Sequence, residues 1–76
     1  MIALQAMEDA RYVTAEWVRE NFTVAMETFT SPGEREDLNA ACDLIVSTVL
    51  TAIANGQENA AELASAVTES MAALDA

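Results

Sequence analysis

Histidine and lysine are absent from this chain, cysteine and proline occur once each, and glycine twice. Without His and Lys, the commonest general base and the amine of Schiff-base chemistry are both missing. One Cys cannot close an internal disulfide, and with no His beside it there is no ligand set for a structural zinc. A di-iron bundle needs Glu-x-x-His, which does not occur, and there is no EF-hand loop or glycine-rich phosphate loop. The acid pairs Glu16/Glu20 and Glu58/Glu62 have helical i, i+4 spacing, enough only for weak binding of a divalent cation. No cofactor, no resident metal and no catalytic residue are expected, and the chain does not read as an enzyme.

Positive charge is also scarce. Three Arg face 13 carboxylates, for a net charge of −10. Direct binding to nucleic acid needs a basic patch, which three scattered Arg do not make. Anionic membrane surfaces are disfavoured for the same reason. The longest uncharged stretch, Leu44 to Gln57, has 14 residues and includes Ser47, Thr48, Thr51 and Asn55. A membrane span takes about 20 mostly apolar residues, so this segment reads as a buried helix. The N-terminus has no basic region, and Glu8 and Asp9 interrupt its apolar residues, so no secretion signal is read and a cytoplasmic location is expected. The acidity suits either plain solubility or a partner with a basic surface.

With 76 residues the chain is expected to form a single domain, 1–76, a size at which one core is marginal. Sixteen of the apolar residues are Ala, leaving 24 larger ones, enough for a thin core. With disulfide and zinc excluded, oligomerisation is the expected extra source of stability.

Two punctuation marks divide the sequence. In "TFTSPGERED", Ser31 is a good N-cap, Pro32 sits at the first helical position and Glu34 completes a capping box. In "IANGQENAAE", Gly56 suits the left-handed residue that ends a helix, and Asn55 or Asn59 suits the next N-cap. The expected fold is all-α, with helices at about 3–29, 32–54 and 58–74. The β-branched run "DLIVSTVL" is the best strand candidate. Leu38, Cys42, Ile45, Val49 and Ile53 keep helical spacing straight through it, so it is assigned to a helix. That second helix is expected to be the central one, wetted only on a strip around Glu36, Asp43 and Ser47. On the third, Ala60, Leu63, Ala64, Val67, Met71 and Leu74 form the expected inward stripe.

The first helix carries more apolar surface than one neighbour covers. Leu4, Met7, Val18, Phe22, Ala25 and Phe29 share one face, with Arg11 in its midst. A second row, Ala6, Ala10, Val13, Trp17 and Val24, lies roughly 120° around the helix. All the aromatics (Tyr12, Trp17, Phe22 and Phe29) fall here. Phe22 and Phe29 are expected in the core, while Trp17 fits either core or interface. The second row, with Tyr12 and Arg11 beside it, is the candidate interface: Val13, Trp17, Val24, Tyr12 and Arg11, covered by a second copy of the chain in a homodimer. Arg11 either snorkels to the bundle edge, pairs with a carboxylate inside an interface, or marks a break in the helix.

Asp9, Glu16, Glu20 and Glu27 line one further face, within about 40° of each other. They form either an ordinary solvated surface or a charged row offered to a basic partner, spaced on the order of DNA phosphates. The function expected is a non-enzymatic acidic interaction module, a small regulator or inhibitor that binds another protein. A nucleic-acid mimic that blocks a DNA- or RNA-binding protein, and a structural subunit of a helical assembly, are the alternatives.

Overall fold

The computed structural model describes residues 12–75. Over them the chain forms three α-helices: α1, Ala15–Thr28; α2, Arg35–Ala54; and α3, Ala60–Asp75. A short 3-10 turn, Pro32–Glu34, leads into α2. No strand occurs among the described residues, and the β-branched run lies within α2. The expected all-α, three-helix fold is what the structure shows.

Each helix boundary has a local cause. Ser31 is extended (φ −82°, ψ 147°), as a residue before proline prefers. Its N–H donates to Glu34 Oε1 at 3.2 Å, as the expected capping box requires. At the end of α2, Gly56 takes φ +88°. Its N–H donates to Ile53 O at 2.9 Å and that of Gln57 to Ala52 O at 3.2 Å. This pair of bonds is the Schellman motif, which satisfies carbonyls the helix end leaves free.

The start of α1 corrects the expectation of a helix running from about 3 to 29. Residues 12–14 are not helical, and α1 begins at Ala15. Thr14 is its N-cap: extended at φ −112°, ψ 159°, with Oγ1 accepting from Trp17 N–H at 3.0 Å. Val13 and Val18 then occupy the N′ and N4 positions of a hydrophobic staple, and both are buried in the core. A cap and a staple fix the chain's entry angle where helical spacing alone extrapolates another turn. The expected stripe positions Leu4, Met7, Ala6 and Ala10 lie outside the described residues.

The core gathers Val13, Val18, Phe22 and Ala25 against Leu38, Cys42, Ile45, Val49 and Ala52 of α2 and Leu63 and Ala66 of α3. Phe22, Val18 and Leu63 are its largest fully enclosed side chains. Phe22 is core as expected, and Phe29 packs half-buried against it.

Two packing expectations are corrected. The central helix is α1, which packs most extensively on α3 and next on α2, while α2 and α3 meet least. Accordingly α2 is wet over far more than a strip: Leu44 is 71% and Leu50 59% exposed. On α3 the inward row is Leu63, Ala66 and Ser70, with Ala64 and Met71 facing outward. Small side chains at 66 and 70, one turn apart, let α1 approach closely. A reading that ranks positions by hydrophobicity passes over them.

Candidate interaction surface

The turn between α2 and α3 holds the start of α1 by a polar clamp. Gln57 Oε1 accepts from Val13 N–H and Gln57 Nε2 donates to Val13 O, both at 3.0 Å. Asn59 Nδ2 donates to the same carbonyl at 3.0 Å, and its Oδ1 accepts from Gln57 Nε2 at 2.8 Å. One side-chain amide thus reads the peptide group of Val13 as a neighbouring strand would, satisfying backbone groups that burial would otherwise leave unpaired. Asn59 also stands at the expected N-cap position of α3, its backbone carbonyl accepting from Leu63 N–H at 3.0 Å.

The clamp separates the five candidate interface residues. Val13 is 3% exposed and belongs to the chain's own core, so its place in an intermolecular interface is corrected: the break at Thr14 turns it inward. Tyr12 is exposed but lies beside the start of α3. There, partial desolvation and the Glu58 and Glu62 carboxylates push its phenol pKa above the ordinary 10.0. Arg11 lies outside the described residues. Trp17 and Val24 are the two that the structure brings together on one surface.

That surface is an open groove of about 320 Å³ between α1 and α2. Trp17, Asn21, Val24 and Phe29 line one wall, and Ala41, Leu44, Ile45 and Thr48 the other. Trp17 is half-buried, its inner side packed on the core and its outer side in the groove. Its core reading holds for the inner side, and the outer side is uncovered. Val24, at 59% exposure, and Leu44 are uncovered. Leu44 falls outside the sequence-based candidates, because an enclosed α2 would bury it; its offset from the Leu38–Cys42–Ile45–Val49 row is the signal that could have found it. The Asn21 amide donates to Trp17 O within α1 at 2.8 Å.

Of the expected acidic row, Asp9 lies outside the described residues, while Glu16, Glu20 and Glu27 are all exposed along α1. Glu20 and Glu27 precede and follow Val24 by one helical turn each and so form the outer bank of the groove. Neither is ion-paired among the described residues. The single ion pair there joins Arg19 Nε to Glu69 Oε1 at 3.3 Å, linking α1 to α3. Both partners are more than half exposed, so the pair contributes little to stability. It does hold the Arg19 charge toward α3.

Cys42 is 5% exposed. Burial, with a smaller push from the Asp43 carboxylate and an opposing pull from Arg35, raises its thiol pKa above 9.0. It is therefore a neutral core residue at ordinary pH. Among the described residues no cluster of three or more His, Cys, Asp or Glu could hold a metal ion. The segment Pro32–Ala54 is long and apolar enough to cross a membrane by length and composition, with a mean hydropathy of 1.4. Its Leu38-to-Ala52 row is, however, occupied in packing on the other helices.

The chain matches no protein-family model, and no curated protein or solved structure is significantly similar to it.

Proposed function

We propose that this protein is a non-enzymatic acidic interaction module, a small regulator or inhibitor that acts by binding another protein through α1. The observation that carries the reading is the groove itself: an uncovered apolar floor, bounded on its outer side by Glu20 and Glu27. A small-molecule site buries most of its ligand in a concave pocket, whereas this groove is open along its length. A row of unpaired carboxylates along one helix suits a basic protein surface, including one that otherwise meets a nucleic-acid backbone.

A homodimer through the same face is the second reading, motivated by Val24 and Leu44, two exposed apolar residues facing one channel. Two copies each carrying −10 repel, and that repulsion is weakest at high salt. A module for a basic partner behaves oppositely, binding best at low salt.

The test is affinity capture at low salt with wild type and with Glu16→Gln/Glu20→Gln/Glu27→Gln. The reading expects a basic protein that wild type retains and the variant loses, with unchanged circular dichroism. Capture of nothing, or equal capture by both, contradicts it.

A further inference from the structure

We infer that the α1–α2 groove is the docking channel for an amphipathic helix with Lys or Arg along one flank. This rests on the interaction-module reading and names the occupant. The walls are mostly apolar from Trp17 to Thr28, with Asn21 and Thr48 the polar side chains between, a length of about 16 Å, or three turns of a bound helix. A helix laid in such a channel inserts side chains at i, i+3, i+4 and i+7. On the α1 side those side chains meet Val24, and immediately outside it Glu20 and Glu27, both free of ion pairs among the described residues. On the α2 side the lip is Leu44, and the exposed Asp37 stands two turns before it on the same face. The channel therefore has two acids flanking Val24 on its α1 bank and one, Asp37, at the end of its α2 bank. Arg19, the cation nearest this stretch of α1, is engaged with Glu69 on α3.

Charge complementarity selects the occupant. A second copy would bring its own Glu20 and Glu27 to the same bank, and an acidic helix would do likewise. A helix with a basic flank neutralises both carboxylates while its apolar face covers Trp17, Val24 and Leu44. Exposed charge pairs at such a rim set the on-rate, the orientation and the salt dependence, while the apolar floor supplies most of the affinity.

The protein carries its own reporter, because its one Trp lines the groove. The probe is a capped Leu/Lys peptide of about 18 residues, long enough to form a helix on binding. Its Leu residues stand at i, i+3, i+4 and i+7 and its Lys residues on one flank. A Leu/Glu peptide with the same apolar face is the control. The 76-residue chain at low salt should show a blue shift of Trp17 emission with the Leu/Lys peptide and none with the Leu/Glu peptide. Leu44→Asp should weaken binding by at least about tenfold, the loss of one buried Leu contact. Glu20→Gln/Glu27→Gln should weaken it about fivefold, the yield of two exposed pairs, and flatten its salt dependence. Glu36→Gln/Asp43→Gln, which removes equal charge from the other side of α2, should change nothing.

Equal binding of both peptides, equal loss in the two double variants, or a monomer whose Trp17 no peptide moves overturns the proposal. So does a wild-type dimer that Leu44→Asp converts to a folded monomer, since the occupant is then a second copy. Recovery of a natural partner that Leu44→Asp still binds leaves the interaction module standing and overturns only the groove.

Discussion

The two sides of α1 use similar residues to opposite ends. Val18, Phe22 and Ala25 on one side are enclosed by α2 and α3, while Val24 on the other stands open beside Trp17's outer edge. Hydrophobicity does not separate them, since Val18 and Val24 are the same residue. Position relative to Thr14 does: the cap fixes the helix register, and the register decides which Val meets Leu63 and which meets solvent. On a chain this small the enclosed side must supply nearly all the stability, which leaves the open side free for recognition.

The largest effect should come from breaking the enclosed side. Phe22→Ala removes the largest fully buried side chain and should cost about 3–5 kcal/mol, close to the whole stability of a domain this size. Loss of the helical circular-dichroism signal at room temperature is the expected outcome. Gln57→Ala should come next. It strips the Val13 peptide group of both its bonds to Gln57 and should cost about 1–3 kcal/mol, seen as a lower urea midpoint with unchanged slope. Gly56→Ala meets no steric obstacle at its Cβ, but the left-handed backbone there should still cost about 1–2 kcal/mol.

Leu44→Asp sharpens the comparison from the other side. The residue is exposed, so stability should change by no more than about 0.5 kcal/mol, although peptide binding is weakened. The smallest effect is a pH dependence at Tyr12. Its folded pKa lies above the ordinary 10.0, so the native state holds the phenolic proton more tightly than the unfolded chain does. Stability present below pH 10 should therefore decline as pH rises through the folded value. Thermal melts of Tyr12→Phe should lack that component of the decline.

How much of the structure is legible in the sequence depends on how local each signal is. The Ser31–Pro32–Glu34 start of α2 and the Gly56 stop are complete within a few residues, and both stand where expected. The Leu38–Cys42–Ile45–Val49 row is a periodic signal long enough to outweigh β-branched propensity. Thr14 escapes a sequence reading because its cap lacks the Glu or Gln three residues on, and because helical spacing continues across it into Val13 and Ala10. The Gln57–Asn59 clamp is beyond reach, since it joins residues 44 and 46 positions apart in the chain. Of the expected α3 row, Leu63, Val67 and Leu74 do pack on the core, while Ala66 and Ser70 escape a sequence reading because small residues mark close helix approach only once the partner helix is known. Of the surface residues, Trp17, Val24, Glu20 and Glu27 are legible, while Leu44 needs the knowledge that α2 lies at an edge.

The central claim is that α1 keeps one apolar side for the chain's own core and leaves the other open. Thermal unfolding of wild type and Val24→Asp, each at low and high protein concentration, tests it most directly. An open face predicts melting temperatures within about 4 °C of each other, independent of concentration. A much larger drop in Val24→Asp at all concentrations would mean that the side is already covered within the chain. A concentration-dependent wild-type transition that the variant abolishes would mean that a second copy covers it. Either result would contradict an open face.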